Sequence, residues 1–299
     1  MRISAQNGYR FPSIFEAFSN INSGGRKRVG GLPVMSNGVF ENSYTQTSIT
    51  AFQRAVQSDV NTGGMTLAEA IKKEEGLLKR NPYTYLQPEH VTSLEAGYRA
   101  ALLNERLLLD VDFYYNTYKN LMAQIDANIA KRQHPDSLGY YMQSNSRQNL
   151  YRLWTNSKTV SYNYGASFGA SYEVSKKLRV GGNFTYAKLA RKEQSDGLED
   201  GFNTPAWTYN LSVASPNFYK TLGFNVNFRQ QASFLWQSAL ATGTVKSYAT
   251  IDMQLTAGLL KNTWLLKMGA TNLTNRYYYS LIGGPAIGGF YYLSATFSM

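Results

Sequence analysis

Cysteine is absent from the 299 residues, which excludes disulfide staples and thiolate metal sites. His90 and His134 are the only two histidines, so a histidine-based metal centre is nearly excluded as well. Charged residues make up 16% of the chain, well below the roughly 25% of a soluble domain. No apolar run approaches the roughly 18 residues that a membrane-crossing helix needs. RISAQNGYRFP follows Met1 without an apolar core, so no signal peptide is visible. For an exported protein that places the natural start upstream of residue 1.

Aromatic residues are abundant: Tyr 23, Phe 15 and Trp 4, together 14%. Mean hydropathy is nevertheless −0.36. Alternation of lipid-facing and water-facing residues produces that combination. The net charge is +11, spread along the chain except for one tight run, Arg26-Lys27-Arg28. Such scatter does not build a nucleic-acid footprint. It suits cationic loops that meet anionic surface lipid or an anionic ligand.

The clearest segment is TVSYNYGASFGASYEV, Thr159 to Val174. Val160, Tyr162, Tyr164, Ala166, Phe168, Ala170, Tyr172 and Val174 form one face, with small and polar residues on the other. Sixteen residues of strict alternation exceed the five or six of an ordinary strand and fit a membrane-barrel strand. Tyr164, Phe168 and Tyr172 are expected to touch lipid. The pattern recurs from Leu107 to Asn116, Leu178 to Tyr186, Trp207 to Val213, Leu222 to Arg229, Ile251 to Leu255, Trp264 to Met268 and Tyr291 to Phe297. Asp110, Asp112, Arg229 and Asp252 fall on the polar face.

Counting Met1 to Gln6 as a remnant strand, about ten strands are expected, and their connections alternate in length. Asn104-Glu105, Ser175 to Lys177, Ser215 to Lys220 and Leu260 to Asn262 read as tight turns. Long connections lie near 7–90, 127–157, 190–204, 235–247 and 272–289. Membrane barrels have short periplasmic turns and long outer loops. Thr66 and Glu69 have capping-box spacing, so Thr66 to Arg80 reads as a short helix in the first long loop, packed on the barrel mouth.

Gly8 to Phe18 is GYRFPSIFEAF, Asn81 to Glu89 is NPYTYLQPE, and Ser93 to Tyr98 is SLEAGY. This order resembles TonB-dependent outer-membrane receptors, whose Gly-aromatic-Arg-x-Pro-Ser and Asn-Pro…Leu-x-Pro-Glu…Glu-x-Gly-Tyr segments bracket an outer loop. Asn272 to Tyr278, NLTNRYY, is similar to the segment before the family's last strand, and Phe290 to Met299 to its closing strand. The resemblance gives structural roles at the barrel rim to Gly8, Arg10, Pro12, Asn81, Pro82, Pro88, Glu89, Glu95, Gly97, Tyr98, Asn272 and Asn275. Pro12 and Pro88 sit at strand margins, where a missing N–H is tolerated. Glu89 or Glu95 is expected to bond across loop and wall. The resemblance implies a barrel of twenty-two strands, so this chain would be the C-terminal part, without the plug and the TonB-binding segment. Met299 stands where such barrels end in an aromatic residue.

Other constellations read blandly. Gly24 to Gly31, GGRKRVGG, lacks the Gly-Lys-Ser/Thr ending of a phosphate loop and reads as a flexible outer loop. Glu193, Asp196, Glu199 and Asp200 lack EF-hand spacing and read as a solvated acidic loop. Tyr140, Tyr141, Tyr151 and Trp154 share a connection with Arg147 and Arg152. These six are candidate ligand contacts, by stacking on sugar rings or gripping an anionic chelate. Packing of the loop on itself, or an aromatic girdle, is the other reading. Tyr277, Tyr278 and Tyr279 are assigned to the girdle.

The expected fold is all-β over residues 1–299, an antiparallel transmembrane β-barrel portion with long outer loops and a short helix within about 7–90. No catalytic constellation is present, and no cofactor or metal is expected. The resemblance implies TonB-dependent import of a scarce nutrient, such as a siderophore, cobalamin or glycan, through the outer membrane of a Gram-negative bacterium. Its partners would be the TonB system through the plug, membrane lipid and a small ligand. A passive porin or adhesin and a barrel enzyme are the alternatives; nucleic acid is not an expected partner.

Overall fold

A computed structural model describes residues 1–191, 202–238, 241–260 and 263–298. The chain opens with β1 (Arg2–Arg10), α1 (Ile14–Phe18), β2 (Asn20–Ser23) and β3 (Arg26–Val29). Next come α2 (Pro33–Ser36), α3 (Val39–Asn42), β4 (Tyr44–Thr45), α4 (Gln46–Asn61) and α5 (Leu67–Glu74). β5 (Glu89–Leu102) and β6 (Leu107–Lys119) lead into β7 (Met122–Ala130), α6 (Leu138–Met142) and β8 (Gln148–Asn156). Then follow β9 (Ser161–Ser175), β10 (Leu178–Arg191), β11 (Trp207–Tyr219) and β12 (Leu222–Gln231). The chain finishes with β13 (Phe234–Gln237), β14 (Thr242–Val245), β15 (Tyr248–Leu259), β16 (Trp264–Thr271) and β17 (Phe290–Phe297).

Ten strands form one antiparallel sheet in the order β1-β5-β6-β9-β10-β11-β12-β15-β16-β17, with β1 and β17 at its edges. The sheet is open, a barrel wall rather than a closed barrel. Its registers convert sequence alternation into two continuous faces. Val111 pairs with Phe168, Phe168 with Phe184, and Phe184 with Tyr209, an apolar row across four strands. One step along, Asp112 pairs with Ser167, Ser167 with Thr185, and Thr185 with Thr208. Among the described residues nothing covers the apolar face: Phe168 is 47% exposed and Leu293 78%. An uncovered apolar surface of this extent is what a bilayer would cover.

The polar face carries its own network. Arg2 meets Asp112, Arg99 meets Asp110, Arg179 meets Glu173 and Arg229 meets Asp252. Tyr292 donates to Gln254 at 2.8 Å, and Asn210 to Asn183 at 2.7 Å. At Gly97 a Cβ would collide with both Asp112 and Arg2, so the missing side chain makes room for their pair.

Several sequence boundaries move. The first strand is not a remnant ending at Gln6; it runs to Arg10, paired throughout with β5. Ser215 to Lys220 is not a loop, because β11 continues to Tyr219 through an irregularity after Ser215. Pro216 has no N–H for the ladder, and the register shifts there. The turn at 103–106 places Leu103, Asn104 and Glu105 at positive φ of 53°, 55° and 66°. Lys261 and Asn262, and Met299, lie outside the described residues.

The two longest connections are not plain loops. Parts of 11–88 and 120–160 fold together into a five-stranded sheet, order β2-β3-β8-β7-β4. Two clusters form its core. Ile49, Phe52 and Val56, one face of α4, pack with Ala70, Ala130 and Met142. Val29, Phe40, Tyr83, Ile125, Ala127 and Leu153 form the second. Each large apolar side chain buried there contributes on the order of 1.5–3 kcal/mol. Gly24 and Gly25, at φ of 60° and 76°, make the turn between β2 and β3. The glycine-rich basic run is therefore a hairpin and an interior strand, not a flexible loop. Thr66 and Glu69 do form a reciprocal capping box, but α5 ends at Glu74 and a single 3₁₀ turn carries the chain to Leu77, short of Arg80. The 235–247 connection contains the small β13–β14 hairpin.

Candidate functional site

The end of the wall that bears the long connections holds the candidate site. Its foundation is a charge lock. Arg10 ends β1 and lies beside Glu89, which begins β5, because the two are register partners. Arg10 Nη2 donates to Glu89 Oε2 at 3.1 Å, and Nη1 to both oxygens of Glu16 at 3.1 Å. Glu89, only 4% exposed, also accepts from the backbone N–H of Met122 at 3.1 Å. One carboxylate thus joins the wall to the first residue of β7. Glu16 is placed by α1, where Ser13 and Glu16 form a reciprocal capping box. Burial alone would raise the Glu16 carboxyl; bonds from the Ser13 N–H and hydroxyl, and then from Arg10, outweigh it and hold the group below the usual carboxylate range.

A second charged group lies on one face of the five-stranded sheet. β3 pairs in parallel with β8, aligning Arg28 with Arg152, and β7 aligns Asp126 with Arg152. Arg152 Nε bonds Asp126 at 2.7 Å and Arg26 Nε lies 3.2 Å from the same carboxylate. Arg26 also donates to Asn128 at 2.8 Å and Gln46 at 2.7 Å. Burial lowers the Arg26 guanidinium from its ordinary value; Asp126 works against that shift and Arg152 adds to it.

Between the two groups is a cavity of about 440 Å³, lined by Arg10, Phe15, Glu16, Arg28, Glu89, Gln124, Trp154, Asn203 and Gln237 among others. Phe15 stands edge-on to Trp154 at 6.3 Å. The buried Trp154 Nε1 has no hydrogen-bond partner among the described residues. The cavity offers aromatic surface, amide groups and balanced charge.

The six ligand-contact candidates do not form one cluster. Trp154 lines the cavity, and Arg152 shares its sheet face. Tyr151 points the other way, against the cluster around Leu153. Arg147 stacks over Tyr140 at 3.8 Å and donates to its carbonyl at 3.1 Å. Tyr141 meets Tyr140 edge-on at 5.5 Å and packs on the α4 core. These three fold the connection onto itself. Sequence alternation within Gln148–Asn156 carried the signal that separates Tyr151 from Arg152 and Trp154. Arg26, Arg28 and Phe15 carry no such signal in the sequence, since nothing local reveals the parallel β3–β8 pairing.

The other motif residues are placed as follows. Gly8 and Arg10 lie on the polar side of β1, and Pro12 follows that strand. Asn81 accepts from Tyr83 N at 3.0 Å and bonds Ser43 at 3.2 Å, which pins the segment holding Pro82. Pro88 immediately precedes β5. Glu95 accepts from Ser93 at 3.3 Å within its own strand, so Glu89 alone of the two makes the bond across to the loop region. Tyr98 is on the apolar face and 53% exposed. Asn272 bonds Asp252 at 2.9 Å and the Arg276 carbonyl at 2.8 Å, while Asn275 accepts from Gly289 N at 2.7 Å. Tyr164, Phe168 and Tyr172 share the apolar face. Tyr278 departs from the girdle assignment: it stacks at 4.0 Å on Tyr248, which belongs to the polar face with Asp252 and Gln254. His90 rests against Tyr9, and exposed His134 pairs with Asp136 at 3.5 Å. Glu193, Asp196, Glu199 and Asp200 lie outside the described residues.

The model of the TonB-dependent receptor-like β-barrel family matches residues 1–273. No curated protein matches the chain. Among solved structures, the FrpB iron transporter from Neisseria meningitidis is similar, at 16% identity and a TM-score of 0.51, over 72% of this chain and 31% of that one. The siderophore receptor PirA from Acinetobacter baumannii gives 16% and 0.50, over 72% and 32%. The copper transporter OprC gives 13% and 0.56, over 99% and 36%. The chain thus spans about a third of the length of these proteins, and at such identities the likeness is one of fold.

Proposed function

Since the chain belongs to the TonB-dependent receptor-like β-barrel family, we propose that it forms part of the wall and outer mouth of a Gram-negative outer-membrane importer. The observation that carries this reading is the register-matched wall, apolar on one face and ion-paired on the other, within the residues the family model covers. The apolar face meets lipid; the polar face lines a wet lumen and receives a plug. The long connections face outside, where the folded sheet and the cavity beside Trp154 and Arg28 take up the ligand. Energy for passage comes from the inner membrane through TonB. The nutrient is a scarce one, and the solved relatives described as iron, siderophore and copper proteins favour a metal chelate over cobalamin or a glycan. No covalent chemistry is required of the chain.

The test is uptake by cells that carry the full-length receptor, with and without TonB, using labelled ferric chelates, cobalamin and oligosaccharides. Uptake of one of these that disappears without TonB is expected. Equal uptake in both strains would make the protein a passive pore. Residues 1–299 expressed alone should not restore TonB-dependent uptake.

A further inference from the structure

The arginines Arg2, Arg99, Arg179 and Arg229 on the polar face each meet a carboxylate. Cations at the opposite end from the long connections behave differently. The turn at 103–106 carries Arg106, the turn at 175–178 carries Lys176 and Lys177, and the turn at 219–222 carries Lys220. All four are exposed, and none makes an ion pair among the described residues. Glu105 is the only carboxylate in these three turns. Glu173, just before the second, is already taken by Arg179.

Two of these cations are seated on aromatic rings. Arg106 lies over Tyr172 at 5.6 Å, and Lys220 over Tyr219 at 5.3 Å. Tyr172 belongs to the apolar face, as its pairing with Leu107 and Val180 shows. Arg106 is fixed further: its Nε donates to Glu173 O at 3.1 Å, and its Nη2 to Glu173 O at 2.9 Å and Val174 O at 2.7 Å. A guanidinium has five N–H donors. Those bonds use the Nε and Nη2 hydrogens and leave the Nη1 pair without a hydrogen-bond partner among the described residues. Exposed Leu102, Val174 and Leu222 continue the apolar face up to the same level. A cation on a ring, at the boundary of an apolar band, has the chemistry of a lipid headgroup level.

We propose that the turns at 103–106, 175–178 and 219–222 form a rim that binds the phosphate headgroups of anionic phospholipid, with Arg106 on Tyr172 as its fixed element. The proposal rests on the membrane-wall reading and adds a partner to it. The rim lies at the periplasmic end, so the lipid is that of the inner leaflet. Arg106 Nη1 bonds a phosphate oxygen, the lysines supply mobile charge, and the acyl chains lie along Tyr172 and Val174.

The test uses the full-length receptor refolded into phosphatidylcholine vesicles doped with phosphatidylglycerol, with lipid retention read by native mass spectrometry. Wild type should keep phosphatidylglycerol over phosphatidylcholine, and the preference should fade with salt. Each neutralised cation should weaken it by about five-fold, so Arg106→Gln with Lys176→Gln, Lys177→Gln and Lys220→Gln should abolish it. Arg106→Lys, which keeps the charge, should retain most of it. Heat-modifiability on a gel checks that each variant has folded. A folded quadruple variant with undiminished preference would overturn the proposal, as would an equal loss on neutralising Lys131 and Arg132 at the other end. Failure of wild type itself to form a heat-modifiable barrel in lipid would overturn the wall reading instead, a visibly different result.

Discussion

Replacing Arg10 by alanine should loosen the join between the wall and the folded outer sheet. Arg10 is the shared partner of Glu16 and Glu89, with all three contacts at 3.1 Å. Its loss leaves the buried Glu89 carboxylate holding, among the described residues, only the Met122 N–H. Removing one member of a fully buried pair costs about 3–5 kcal/mol. Arg10 itself is 46% exposed, so water takes over part of its role and the expected cost falls to about 2–3 kcal/mol. Glu16→Ala should cost less, about 1 kcal/mol, because Glu89 still holds Arg10 and a capping interaction is the main loss. The cost is local, so it is read best as hydrogen exchange at the Met122 amide in the full-length receptor in lipid. At about 1.4 kcal/mol per ten-fold, Arg10→Ala should speed that exchange roughly 30- to 150-fold, and Glu16→Ala about five-fold. Unchanged exchange in Arg10→Ala, or equal effects of the two substitutions, would refute the view that Glu89 is the joining residue.

Acid should weaken the same region. The folded Glu16 carboxyl sits below its ordinary range, so its contribution is complete above that range and is lost as pH falls through the lowered value; protease nicking near 13–18 should rise there in wild type and not in Glu16→Gln. Sidedness is tested by single cysteines at Ser146 and Ser175 in the full-length receptor. An impermeant thiol reagent applied to intact cells should label 146 and spare 175, and the reverse pattern would invert the topology.

The wall is legible because its signal has period two and spans many residues: the alternation from Tyr162 to Tyr172 is the same alternation seen in the registers of β9 with β6 and β10. Strand ends were less legible. Ser215 to Lys220 reads as a tight turn in the sequence, yet β11 reaches Tyr219 by an irregularity in its register. The outer sheet was hidden for a different reason. β3 has four residues and β4 two, and β3 finds its parallel partner β8 more than a hundred positions away. α4 is hidden too, since Thr47, Ser48, Ile49 and Thr50 are weak helix formers and its burial depends on Ala130 and Met142 from the other connection. Of the rim motif, the residue types Arg10 and Glu89 were visible. That Glu16 joins them follows only from the geometry of α1.

The most direct test of a two-faced membrane wall compares adjacent residues of β9. Phe168 lies on the apolar face between Val111 and Phe184, 47% exposed to whatever surrounds the wall. Ser167 lies on the polar face between Asp112 and Thr185, where an introduced arginine would find a carboxylate and water. Near the bilayer midplane an arginine on the lipid face costs about 2–4 kcal/mol. Folding titrations of the full-length receptor in lipid vesicles should therefore show Phe168→Arg losing stability by about that amount while Ser167→Arg stays close to wild type. Equal damage from both would mean that the strand is buried on both faces, and greater damage from Ser167→Arg would mean that the lipid and lumen faces are exchanged.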